Sequence, residues 1–249
     1  MFRTERDPIE GLTRERLNEL GVEGVLYDLD DTLIYTAEIF HLYMDLYADM
    51  VADQAGIDRE SFFKRLSDIN DEEYKTMGVS PLRWDSVVMR LASEYPEIGV
   101  VIVSQLNVLK RIYRHEPRKR EGANAILDGV RRMGLKQGLV THANVEWTNW
   151  KMDTLGWWGM FDGLYIADEN GFKTKKDWAR AMEILELDPR KCIVVGDNLS
   201  GDVIPTAELG ARTMWMPSPW SVYRAGVVPE STIQIGGISE FYDGIMRMK

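Results

Sequence analysis

Four short polar clusters stand out in this chain of 249 residues. Asp28-Leu29-Asp30-Asp31-Thr32 sets several carboxyls side by side. Thr141-His142 closes an apolar run. Lys173 stands just ahead of Lys175 and Lys176, and Gly196-Asp197 is soon followed by Asp202. A carboxylate can act as a nucleophile and split a hydrolysis into two easier displacements. A second carboxyl can protonate a leaving oxygen and later deprotonate water. Hydroxyl and ammonium groups suit an anion, and an all-oxygen set that also meets phosphate suits Mg²⁺. Taken singly each cluster is weak evidence, because surface loops are rich in Asp, Asn and Gly.

Their positions give them weight. Gly24-Val25-Leu26-Tyr27 reads as a strand ending at Asp28, and Gln137-Gly138-Leu139-Val140 as one ending at Thr141. Leu164-Tyr165-Ile166 is a weaker third. Cys192 to Val195 runs into Gly196-Asp197, and Thr213-Met214-Trp215-Met216 is stopped by Pro217. Helical spacing separates these runs: Ala123, Ile126, Leu127, Val130 and Met133, closed by Gly134, then Trp178, Met182 and Leu185 before Asp188-Pro189. Buried strands alternating with helices predict an α/β fold with a parallel sheet and right-handed crossovers. Ligands of such sheets bind beyond the carboxyl ends of the strands, where the four clusters fall.

Between 36 and 117 the rhythm changes. Ile39, Tyr43, Leu46 and Met50 step at helical spacing. So do Phe62, Phe63 and Leu66, then Trp84, Val87, Val88 and Leu91, then Ile102, Leu106, Leu109 and Tyr113. This predicts an all-helical second domain over 36–117, inserted into an α/β domain made of 1–35 and 118–249. The basic run Arg111, Arg114, Arg118, Lys119 and Arg120 lies near its return and reads as a solvated face and hinge.

Composition narrows the function. Thirty Lys and Arg against forty Asp and Glu give a net charge of −10, which repels phosphodiester backbones and acidic membranes at long range. No nucleic acid and no membrane partner is expected. Cys192 is the single cysteine, which excludes an internal disulfide and a multi-cysteine metal site; its apolar neighbours predict a buried thiol. No apolar run reaches membrane-spanning length, and the charged N-terminus lacks a signal-peptide core. A cytoplasmic setting is expected.

Tyr27-Asp28-Leu29-Asp30-Asp31-Thr32-Leu33 resembles the first motif of the haloacid dehalogenase superfamily, Asp-x-Asp-x-Thr after an apolar strand. Leu139-Val140-Thr141 resembles the second motif, Gly171-Phe172-Lys173 the third, and Val195-Gly196-Asp197-Asn198 through Asp202 the fourth. The four stand in family order and cover the sheet-forming part almost end to end. The resemblance implies a Rossmann-like doubly wound sheet with an inserted all-helical cap of the C1 type. It also implies a Mg²⁺-dependent phosphomonoester hydrolase acting on a small phosphorylated metabolite through an aspartyl-phosphate.

The same resemblance assigns the roles. Asp28 is the nucleophile and Asp30 the acid and base. Asp28 and Asp197 hold Mg²⁺ with the Asp30 backbone carbonyl, and Asp202 orients a metal-bound water or Lys173. Thr141, with backbone amides near Leu29 and His142, holds phosphate oxygens, and Lys173 adds positive charge. The third motif departs from the family pattern, since Thr174 stands where proline is common, and Lys175 is an alternative to Lys173. His142 replaces what is often Asn in the family; phosphate contact, substrate contact and filler are equal readings. Asp31 reads as a helix cap, Thr32 as a cap or a brace for the nucleophile's loop, and Asp202 as a cap that could also serve catalysis. Trp147, Trp150, Trp157 and Trp158 read as packing of one helix, with an aromatic wall near the cap as the alternative. Asp30 argues against dehalogenase and phosphonate-cleaving relatives, which lack that acid. A phosphomutase or other phosphotransferase, and a slow phosphate-binding regulatory module, are the alternatives. The substrate's leaving group is expected to meet the cap, at residues such as Glu38, His41, Tyr43, Arg83 and Trp84. The oligomeric state is not legible.

Overall fold

The computed structural model describes residues 8–167 and 172–249. Gly171 of the third motif and the extreme N-terminus lie outside the described residues. The strands are β1 (Gly24–Tyr27), β2 (Ile34–Tyr35), β3 (Arg118–Lys119), β4 (Lys136–His142), β5 (Gly163–Ala167), β6 (Cys192–Gly196), β7 (Arg212–Trp215) and β8 (Ile233–Gln234). Six of them form one parallel sheet in the order β5-β4-β1-β6-β7-β8. The five expected strands are all present; β8 extends the edge beyond β7.

The sheet is covered on both faces, and β1 shows why. Successive side chains of a strand point to opposite faces. Val25 and Tyr27 pack with Ile126, Leu127, Val130 and Phe241, while Leu26 packs with Trp178, Met182 and Leu185. Apolar residues at every position of β1 and β6 are therefore required, and both strands are buried throughout. The helices Ala123–Arg132 and Lys175–Ile184 form where the periodicity puts them. Cys192 is buried in the second of these layers, and burial pushes its thiol up to about 12.

The chain leaves and rejoins the sheet side by side. β2 and β3 pair antiparallel, Ile34 opposite Lys119 and Tyr35 opposite Arg118. Arg118 and Arg120 stack over the Tyr35 ring, at 4.2 and 4.6 Å. Arg111 and Arg114 are exposed, as a solvated face requires.

Between these crossings lie the helices Ala37–Ala55, Arg59–Met77 and Arg83–Glu94. Two details differ from expectation. In the first helix Met44, Tyr47, Ala48 and Val51 are buried, while Leu46 is 36% exposed; that helix is apolar on more than one face, and packing chooses the stripe. The single helix expected over Ile102 to Tyr113 is broken into Gly99–Ser104, Leu106–Lys110 and a 3₁₀ turn Arg111–Arg114. The Tyr47 hydroxyl donates to the Ile102 carbonyl at 3.0 Å, the acceptor that an unbroken helix would offer Leu106. The apolar core of this helical insert is completed by Trp147, on the helix Val145–Leu155 that follows β4.

Candidate active site

Asp28 directly follows β1, and its N–H donates to the Val195 carbonyl at 2.9 Å. The sheet register thus fixes it against β6. Lys173 donates to Asp28, lies 2.6 Å from Asp202 Oδ1, and reaches the Val140 carbonyl at 3.3 Å. All three side chains are almost fully buried. Lys175 instead points to Glu208 at the surface, 3.3 Å away, so of the two lysines it is Lys173 that meets Asp28.

Asp202 reaches this point because β6 ends in glycine. A Cβ on Gly196 would lie 2.4 Å from Asp202 Oδ2, so no other residue leaves room. Asp202 Oδ2 also accepts from the Asn198 N–H at 3.1 Å, which closes the π-helical turn Leu199–Val203. The cap expected at Asp202 lies instead at Asn198, whose side chain accepts from the Gly201 N–H at 2.9 Å, because the turn begins before Asp202 and encloses it. Asp197 is buried beside it, and its Oδ2 has no hydrogen-bond partner among the described residues. Oxygen atoms of Asp28, Asp197 and Asp202 lie within 4.8 Å of one another.

Crowding shows in the proton affinities. Burial pushes the Asp28 carboxyl up to about 7, with Lys173 opposing and Asp202 reinforcing. Burial, followed by the charges of Asp28 and Asp202, drives Asp197 well above the carboxylate range. For Lys173 burial works downward, but Asp202 and Asp28 outweigh it and the ammonium is held above its ordinary value. The hydroxyl of Thr141, at the end of β4, is fully buried and has no partner among the described residues. The same is true of the Thr32 hydroxyl.

Asp31 takes a φ of 58°, uncommon for a residue with a side chain. Its Oδ1 accepts from the N–H groups of Thr36 and Ala37, each at 2.9 Å. It therefore caps the entry to the helical insert, as its sequence position suggested. Asp30, between the two, turns away from the buried cluster. The Thr36 hydroxyl and the Lys151 ammonium both donate to Asp30 Oδ1 at 2.5 Å.

Lys151 is absent from the motif reading. It is 2% exposed and lies 3.3 Å from the centre of the Trp147 ring. Burial lowers its proton affinity against the pull of Asp30. The sequence held one signal: Trp147, Thr148, Lys151, Met152 and Leu155 form the buried stripe of a helix, so a lysine occupies a core position. The four tryptophans divide. Trp157 packs in the core under the sheet, Trp158 is exposed, Trp150 is half-buried against the insert's core, and Trp147 joins that core and faces the site.

An open cavity is lined by Asp28, Asp30, Lys173 and Asp197 and by Phe40, Tyr74 and Arg83 of the insert. His142 lines it, with Phe172 5.8 Å away between ring centres. Of the five insert residues singled out from the sequence, Arg83 lines the cavity. Glu38 pairs with Arg118, His41 stacks on Trp220, Tyr43 bonds His115, and Trp84 is core.

Comparison with known proteins agrees with this geometry. The model of haloacid dehalogenase-like hydrolases matches residues 22–210. A glyceraldehyde 3-phosphate phosphatase of Pyrococcus abyssi is 24% identical over 201 residues, covering 78% of this chain and 81% of the relative. The fold of a haloacid dehalogenase-like hydrolase from Xanthomonas campestris superimposes with a TM-score of 0.72 at 15% identity, over 91% of each chain. A hydrolase of this class from Bacillus subtilis, solved bound to magnesium, gives 0.62 at 17% identity, over 90% of this chain and 99% of its own. The buried acids at the strand ends, the lysine among them and the match over most of the sheet have one common explanation: the chain belongs to the haloacid dehalogenase-like hydrolases.

Proposed function

We propose that the chain is a Mg²⁺-dependent phosphomonoester hydrolase acting on a small phosphorylated metabolite. The observation that carries this reading is the buried set at the strand ends, Asp28, Asp197 and Asp202 around Lys173, opening onto a cavity. The phosphatase name of the Pyrococcus abyssi relative supports the choice of ester.

The residues fit a divalent cation. Asp28, Asp30, Asp197 and Asp202 face two buried lysines, Lys151 and Lys173. An arriving phosphate adds further negative charge, which a hard cation on oxygen ligands would offset. The partnerless Asp197 Oδ2 is the oxygen most ready to take it. Asp28 and Asp197, with the Asp30 carbonyl, would hold Mg²⁺; bound there, it would neutralise phosphoryl oxygens and polarise phosphorus.

Asp28 attacks phosphorus and becomes an aspartyl-phosphate. Lys173 and the Thr141 hydroxyl receive the phosphoryl oxygens. Asp30 protonates the departing alkoxide through the oxygen not held by Lys151 and Thr36, then takes a proton from the water that attacks the aspartyl-phosphate. Asp202 positions Lys173. The insert, taken as 36–117, acts as a cap over the cavity and meets the leaving group. An aryl phosphate assayed after EDTA treatment, with and without added Mg²⁺, tests the reading. Hydrolysis restored by Mg²⁺ is the expected result, and no hydrolysis of any monoester with Mg²⁺ present would overturn it.

A further inference from the structure

Into the cavity that Asp28 lines, the insert presents a buried cation. Arg83 is 3% exposed and lines the cavity. Its Nη1 donates to the Gly78 carbonyl, and the rings of Tyr74 and Trp84 lie 5.1 and 5.3 Å from the guanidinium carbon. These contacts hold the group in place, but none neutralises it. Among the described residues Arg83 has no ion pair, and its buried Nε has no hydrogen-bond partner. Elsewhere on the insert Arg59, Arg65, Arg90 and Lys110 each have a carboxylate, while Lys75, Arg111 and Arg114, for which no ion pair is seen among the described residues, are exposed to water. A buried charge without a counter-ion is costly unless something else supplies one.

The surroundings indicate what arrives. Asn70, on the same wall, is buried and its Oδ1 lacks a partner. The hydrogen-bonded hydroxyls of Tyr74 and Tyr223 sense the charges of both Arg83 and Asp197. Tyr74 and Tyr223 line the cavity together with Arg83 and Asp197, so one bound ester can meet the guanidinium and the strand-end acids at once. Exposed Asp71 adds negative charge near Arg83 without pairing with it. One guanidinium beside an acid suits a single carboxylate better than a second phosphate dianion.

We propose that Arg83 receives a carboxylate on the leaving group, so that the preferred substrates are short phosphate esters of hydroxy acids, with Asn70 accepting from a hydroxyl of the same group. This deepens the hydrolase reading and rests on it. It also departs from the aldehyde ester in the name of the Pyrococcus relative.

A matched pair tests it. 3-Phosphoglycerate and glyceraldehyde 3-phosphate differ in a carboxylate against an aldehyde. With Mg²⁺ present, kcat/KM should favour the carboxylate ester by about tenfold or more, the effect of a charge-assisted hydrogen bond. Arg83→Met should bring that ratio towards one, mainly through KM, and Arg83→Lys should retain part of it. The wild-type comparison needs no variant, so misfolding of Arg83→Met leaves the proposal exposed to refutation. Equal or better use of the aldehyde ester, or an unchanged ratio in a folded Arg83→Met, overturns the carboxylate role. Failure on this pair while an aryl phosphate is hydrolysed overturns the role of Arg83 alone. Failure on every monoester overturns the hydrolase reading as well.

Discussion

On the outside of the helical insert, Arg59 pairs with Asp45 and Asp49, Arg65 with Glu94, and Arg90 with Glu73. At the strand ends, Lys173 pairs with Asp28 and Asp202, and Lys151 with Asp30. In both regions a basic side chain meets carboxylates. In the first region water reaches about a third of each arginine side chain; in the second the lysines are 2% and 4% exposed. Surface pairs gain little, since water screens them and long side chains lose freedom. Buried pairs bear a desolvation cost that only matched partners offset. A fold that tolerates this cost keeps its charges oriented and dry, where they act most strongly on a bound anion.

The contrast can be broken most severely at Asp28, the proposed nucleophile. Asp28→Asn removes the attacking oxygen and should leave less than about one-thousandth of wild-type turnover, with circular dichroism showing the fold retained. Asp30→Asn should be more selective. Esters with poor leaving groups should slow by about 10²-fold or more, and activated aryl phosphates much less, because they need little protonation. Equal loss on both would mean that Asp30 is structural.

Lys151 sharpens the point. Lys151→Met removes one of the two donors to Asp30 Oδ1 and keeps the packing against Trp147. A leaving-group-dependent loss of about tenfold is expected, measured as the ratio of kcat on alkyl and aryl esters. The smallest effect belongs to the surface array. Arg65→Ala should leave kcat within about twofold of wild type and change stability by less than about 1 kcal/mol, as read from denaturant unfolding.

Legibility in the sequence follows the same division. The central strands can be read because burial on both faces demands unbroken apolar runs such as Cys192 to Val195. The residues at their ends follow from the parallel sheet. β8 is two residues long and, among the described residues, pairs only with β7, too short to leave a pattern. The helix over Ile102 to Tyr113 is interrupted by Tyr47, a partner 55 residues away, and no local signal carries that. The motif acids were found because each is tied to a strand end. Lys151 and Arg83 are harder to read, since both depend on which elements pack together. A charged residue on an otherwise buried helical stripe was the visible trace of Lys151, and no such trace selected Arg83 from its neighbours.

The central claim is that the phosphoryl group passes through Asp28. Borohydride reduces an aspartyl-phosphate to homoserine, so the most direct measurement is borohydride quenching during turnover with Mg²⁺, followed by peptide mass spectrometry. The account predicts homoserine at position 28, present only when substrate is present and absent from Asp28→Asn. Steady hydrolysis with position 28 unmodified, or with homoserine at another aspartate, would contradict it.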